Sequence, residues 1–239
     1  MVRAVLILVL LILALPCQAQ TEERTAMPEK GRLLWGSKMT FDSEPCCTTS
    51  SAAATDKTEA AAPGRAFRDG TILRLKLQDN RTLKITDCDD QDACEADRFR
   101  THRLAAWWPA LQYYVVKVKL WETSMAYLIS EHDGRTTRVS AVPVLSPDQH
   151  FAVASAPALK KGDGVTELVD MRANPPVPFD PAAKCLQDIG VVSVGTALKW
   201  TDNSHVAFGD ARLTDGKRRS LVLKITDDKN DKAEWECGS

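Results

Sequence analysis

The stretch that most constrains the fold is Tyr113–Ser155. Within it Tyr114, Val116, Val118 and Leu120 share one face, and Lys117 and Lys119 stand on the other, flanked by Tyr113, Val115 and Trp121. Period two is the mark of a strand, because successive side chains point to opposite faces. Tyr127–Ile129 reads as a second strand. His132-Asp133-Gly134-Arg135 follows, with the Asp-Gly pair of a tight hairpin turn. Thr136–Val139 starts a third strand. Val142–Leu145 then runs into Ser146-Pro147-Asp148, a turn, and Phe151–Ala154 is a fourth. Consecutive short strands joined by tight turns can bury their apolar faces only as antiparallel sheet.

The rest of the chain continues the pattern. Leu73, Leu75 and Leu77 alternate with Arg74 and Lys76, Gln78–Arg81 is turn chemistry, and Leu83 and Ile85 resume the alternation. Phe99–Pro109 carries Trp107-Trp108-Pro109. Glu167–Met171, Val191–Val194, Leu198–Trp200, His205–Phe208 and Ser220–Thr226 read as further strands. Asn174–Pro181 holds four prolines and reads as extended loop. No ten-residue segment beyond the N-terminus repeats at 3.6, so the expected class is all-β.

The N-terminus points to export. Arg3 supplies a positive charge, Ala4–Leu15 is an unbroken apolar run, and Pro16–Ala19 ends in a small residue suited to cleavage before Gln20. These are the parts of a secretory signal peptide. An uncleaved anchor and a lipoprotein modified at Cys17 are the competing readings. No second apolar run of ~18 residues follows, so no membrane span is expected after cleavage. Asp42–Gly64 is rich in Ser, Thr, Ala and Pro and lacks Leu, Ile, Val and aromatic residues. Such a segment cannot bury enough surface to offset its own ordering entropy. The expected organisation is a signal peptide over 1–19, an arm and linker over 20–65, and a β domain over 66–239, in the periplasm or secreted.

With 31 basic and 32 acidic residues, the chain lacks the charge excess of a nucleic-acid or polybasic membrane surface. Cleavage would leave six cysteines: Cys46, Cys47, Cys88, Cys94, Cys185 and Cys237. An even number in an exported chain suggests disulfides. Cys88 and Cys94 bracket a short acidic loop, and Cys185 with Cys237 would staple the C-terminal strand. Cys46 and Cys47 are adjacent and rarely bridge each other without strain. No Cys-x2-Cys spacing favours a metal instead.

Candidate chemistry is sparse. His102, His132, His150 and His205 stand alone, with no ligand or catalytic spacing, and read as surface or turn residues. Ser146, Asp148 and His150 look like a catalytic set, but there is no Gly-x-Ser-x-Gly elbow and a turn already accounts for the Ser and the Asp. The carboxylates of Asp87–Glu95 are hard ligands that would suit calcium, yet their spacing lacks the alternate-position pattern and its Gly. Trp107, Trp108, Tyr113, Tyr114 and Trp121 are the densest aromatic group. They read mainly as core, with Trp107, Trp108 and Tyr113 as a candidate binding rim. Asn80-Arg81-Thr82 is a glycosylation sequon in a eukaryotic host. No cofactor is implied.

Two echoes bear on architecture. Val144–Asp148 followed by Phe151–Val153 parallels Leu198–Asp202 followed by Val206–Phe208, each a strand, an Asp-containing turn and a strand with a central Ala. Leu83–Asp87 and Leu223–Asp227 are both LKITD. The strand, Ser-Pro-Asp turn and apolar strand resemble the repeats of TolB-type and WD-type β-propellers found in exported bacterial proteins, in which the Asp caps the turn between strands of a blade. The two units lie about 50 residues apart, near the ~40–50 residues of one blade. The second departs from the pattern in having Thr201 for Pro, and the first lacks Gly after Asp148. The resemblance implies a propeller-like arrangement of about four blades. It also implies a non-enzymatic binding or scaffold module of the cell envelope, holding a protein or envelope component. The alternative is a hydrolase or carbohydrate-active enzyme with carboxylates on propeller loops.

Overall fold

Alternating side chains and closely spaced turns produce strands that pair with their neighbours in sequence. The computed structural model describes residues 61–88, 99–156, 165–196, 198–226 and 233–237. The segments read as signal peptide and most of the linker, with Cys46, Cys47, Cys94 and the acidic run from Asp89 to Glu95, lie outside the described residues.

Every described strand belongs to one of four antiparallel sheets. The first contains β1 (Ala66–Asp69), β2 (Ile72–Lys76) and β3 (Thr82–Thr86). The second contains β4 (Arg100–Trp108), β5 (Tyr113–Leu120), β6 (Ser124–Ser130) and β7 (Thr136–Val139), paired in that order. The third contains β8 (Val144–Leu145), β9 (Phe151–Ala156), β10 (Val165–Asp170) and β11 (Val177–Phe179). The fourth contains β12 (Val191–Ser193), β13 (Leu198–Trp200), β14 (His205–Leu213), β15 (Arg218–Ile225) and β16 (Ala233–Glu236), with β12 and β13 both pairing β14. A short helix, α1 (Lys184–Asp188), precedes the fourth sheet. The all-β, antiparallel expectation is thus met.

Three buried clusters lie between consecutive sheets. Leu73, Leu75 and Ile85 of the first sheet meet Leu104, Tyr114, Val116 and Ile129 of the second. From the opposite face of the second sheet, Tyr113, Val115, Ala126 and Leu128 meet Ala152, Ala154 and Val169 of the third. From the third sheet's other face, Phe151, Val153 and Leu168 meet Val206, Phe208, Leu221, Leu223 and Trp235 of the fourth. In β5 the four residues Tyr113–Val116 are all buried, although they point alternately to two different cores. At about 1.5–3 kcal/mol for each fully buried large apolar side chain, that short run is a main source of cohesion.

Two strands and one histidine depart from expectation. Phe99–Pro109, given no strand in the sequence, supplies β4, the partner of β5 along its whole length. Its alternation is hidden by a bulge between Leu104 and Ala106, where one extra residue resets the period. His102, read as a surface or turn residue, is therefore a strand residue and is buried. The Pro-rich loop contains β11, in which Pro178 stands opposite Val169. β11 is an edge strand, and a proline at an edge can leave its missing N–H on the unpaired side.

Candidate functional site

The candidate rim residues sit where β4 and β5 pair. Trp107 lies opposite Tyr114, and Trp108 opposite Tyr113. Because neighbouring strand residues face opposite ways, these four do not make one platform. Trp107 packs into the core between the first and second sheets, and Trp108 into the core between the second and third. Both are half-buried, and Tyr113 is buried. Burial pushes the Tyr113 hydroxyl above its ordinary pKa, and Asp133 adds to the shift. Tyr114 is raised by burial too, against the pull of Arg65, and its hydroxyl donates to the Lys76 carbonyl at 2.5 Å.

Two polar knots are built around buried carboxylates. Trp107 Nε1 donates to Glu131 Oε2 at 3.1 Å, and Arg65 pairs with Glu131 Oε1. Glu131 is held from both sides, since its carbonyl accepts Gln78 N–H and its own N–H reaches the Gln112 carbonyl. The second knot joins the first two sheets. Asp87 Oδ1 accepts the His102 N–H and contacts His102 Nδ1, each at 2.8 Å. Asp87 Oδ2 takes Arg68 Nη1 at 2.8 Å, while Arg68 Nη2 donates to the His102 carbonyl. A third buried carboxylate, Asp170, is gripped in bidentate fashion by Arg172, whose guanidinium lies 4.6 Å from the Phe151 ring centre. Sequence reading missed all three arrangements, since each carboxylate and its cation meet only after folding or across a turn of ordinary composition.

Aspartates also shape the hairpins. Asp79, Asp133, Asp148, Asp170, Asp202 and Asp215 each accept the N–H of the residue two places on. The residue after Asp79, Asp133, Asp148 and Asp215 has positive φ: Asn80, Gly134, Gln149 and Gly216. Leu77–Arg81 and Leu213–Lys217 are the same device, an Asp, a left-handed residue and a base, with the outer residues closing the ladder at 2.8 and 2.9 Å. The Ser146–His150 set belongs to this class. Ser146 Oγ donates to Asp148 Oδ1 at 2.6 Å and accepts Phe151 N–H at 3.0 Å, while His150 Nδ1 stands 3.3 Å from Asp148 Oδ2. The Asp lies between the Ser and the His. A nucleophilic triad needs the His in the middle, to take the hydroxyl proton.

Cys185 and Cys237 are bonded, with Cα atoms 6.0 Å apart, which ties α1 to the end of β16. Cys88 is also in disulfide form, and its expected partner, Cys94, lies outside the described residues. Among the described residues no group of three or more His, Cys, Asp or Glu could hold a metal ion. No helix among them is long and apolar enough to cross a membrane.

No protein-family model, no curated protein and no solved structure matches the chain. The three buried carboxylates are each neutralised by an arginine, and the hairpin aspartates are occupied in their turns.

Proposed function

We propose that the four meanders are blades of a small β-propeller, and that the chain is an exported, non-enzymatic module holding a protein or cell-envelope partner. One observation carries the reading: Asp87, Glu131 and Asp170, the buried carboxylates among the described residues, are committed to Arg68, Arg65 and Arg172. Glycosidic hydrolysis by a carboxylate pair needs an uncommitted acid facing an uncommitted base. Arg65–Glu131 and the contacts of Asp87 and Arg68 with His102 instead join the first sheet to the second, and Arg172 holds Asp170 at the turn after β10. Support for the blade reading comes from the sheets themselves, each formed by strands adjacent in sequence and packed face to face on the next.

The test is cross-linking in intact producing cells, read by mass spectrometry. A reproducible partner joined to the mature chain is the expected result. Turnover of a glycan or peptide library by the purified protein, with no partner recovered, would overturn the reading. The same digests report blade closure. Cross-links from Lys76 or Lys84 to Lys199 or Lys224 are expected if the first and fourth sheets meet in a ring.

A further inference from the structure

Building on the binding-module reading, we propose that the uncovered half of the second sheet, on the side that faces the third, binds an acidic glycan. The glycan's carboxylates would meet Arg103, Lys117 and Lys119, and a sugar ring would lie against Trp121.

The register defines the surface. On this side of the sheet Tyr113 and Val115 are buried against the third sheet, whereas Lys117 and Lys119, further along the same strand, are exposed. Arg103 on β4 stands directly opposite Lys117 and is exposed. Thr101 stands opposite Lys119, and Ser124 on β6 flanks Lys119 from the other side. The same alternation brings Phe99 to Trp121, and their rings meet edge-on with centroids 5.6 Å apart. The strip is therefore three rungs long: a cation pair, a cation between two hydroxyls, and an aromatic step.

Cations are opposed across strands elsewhere too, as at Arg74–Lys84 and Arg212–Arg218, but here three of them share one face with the exposed Trp121. Arg65, Arg68, Arg81, Arg135, Arg172 and Lys217 all have carboxylate partners. Arg103, Lys117 and Lys119 make no ion pair or side-chain hydrogen bond with a described residue. Two like charges directly opposite each other weaken a sheet, so the arrangement has a cost that a bound anion would remove. Acidic groups are near but do not occupy it. Glu167 lies on the third sheet's facing side, and its Oε2 accepts the Ser140 N–H at 2.6 Å. Glu122 sits in the exposed β5–β6 turn, outside both strands.

The shape of the strip selects the ligand. The Cβ atoms that carry the cations lie ~5 Å apart across the strands and ~7 Å along them, which suits a polymer with one carboxylate on each unit. Trp121 is 46% exposed, and a flat aromatic face beside hydroxyl and ammonium donors suits a sugar ring with an acid substituent. An acidic peptide would favour strand addition along the β4 edge. That edge is already engaged at its Arg100 end by a bridge to Cys88.

The test uses the mature, oxidised protein and three probes: tetragalacturonate, its methyl-esterified form and a hexaglutamate peptide, followed by titration calorimetry. Tetragalacturonate should bind and the neutral ester should not. Lys117→Gln, Lys119→Gln and Arg103→Gln should each weaken binding about tenfold, as for loss of one charge-assisted contact. Lys84→Gln, on the first sheet, should leave it unchanged. Trp121→Ala should weaken the glycan and leave hexaglutamate as it was. Equal affinity for hexaglutamate and tetragalacturonate, with Trp121→Ala silent, would overturn the glycan assignment, as would no binding of tetragalacturonate. Circular dichroism of each variant separates lost binding from lost fold. Repeating the intact-cell cross-linking with Lys117→Gln/Lys119→Gln separates the two proposals: a partner retained by that variant leaves the module reading standing and removes this surface from it.

Discussion

At the scale of single residues, aspartate is the side chain that organises this protein. Asp202 shows how. Its carboxylate accepts the N–H of Ser204 at 2.7 Å and of His205 at 2.8 Å, and it lies 2.9 Å from His205 Nδ1, so its pKa falls to about 2. At Asp148 burial works in the other direction, but the Ser146 hydroxyl, the His150 N–H and the His150 charge outweigh it, and its pKa is lowered as well. Asp79, Asp133 and Asp215 are lowered by the same kind of contact. A carboxylate whose folded pKa is depressed stabilises the fold above its unfolded pKa and loses that contribution as pH falls through the folded value. Thermal melts should therefore hold level down to about pH 5 and decline steadily from about pH 4 to about pH 2. A melting temperature unchanged at pH 2.5 would contradict this. Asp87 acts differently. Asp87→Ala removes the carboxylate that the buried His102 and the half-buried Arg68 share and should cost about 3 kcal/mol in urea denaturation, well beyond a surface change. The turn aspartates are legible in the sequence, because Asp beside Gly or Asn between two apolar runs has a local meaning. The Asp87–His102 contact is not, since it depends on how a strand of the first sheet meets one of the second.

At the scale of elements, β5 is the member on which the others depend. Its strand character is plain from period two, and its double-sided burial is hinted at by four apolar residues in a row. Val116→Ala should cost about 2–3 kcal/mol, as for other buried truncations, whereas Val144→Ala, 41% exposed in β8, should change stability by less than about 0.5 kcal/mol. Equal effects at the two positions would show that the cores between the sheets do not set the stability. β4 and β11 escaped the sequence for opposite reasons. In β4 a bulge breaks the period, and in β11 prolines suggest a loop although an edge position tolerates them. Both failures come from reading alternation without knowing which strand lies at an edge.

At the scale of the whole molecule, neighbours in sequence are neighbours in space. The class and most strands could be read from the chain, because each hairpin is local. How the sheets stack could not, because it depends on which face of each sheet is apolar at which end. The hairpins around Asp148 and Asp202, alike in sequence, differ in form: six residues separate Leu145 from its partner Ala152, and five separate Trp200 from Val206. The Cys185–Cys237 bond spans 52 residues of the fourth sheet and its approach. Replacing both cysteines by alanine should lower unfolding stability by about 2–4 kcal/mol, measured against the wild type under oxidising conditions. N-terminal sequencing of the protein from producing cells should begin at Gln20. A start at Met1 would favour the anchor.

The order of the sheets also has a consequence in time. A polypeptide emerges N-terminus first, and here each sheet is complete in strands before the first residue of the next appears. The second sheet can settle on the first, the third on the second and the fourth on the third, with short-range contacts formed early and little waiting for distant partners. The exception is covalent. Cys185 emerges well ahead of Cys237, so the bond between them waits for the final strand. Formation of that bond marks the arrival of the final strand, and trapping the thiol at intervals after the chain is exported would show how long the molecule takes to reach it.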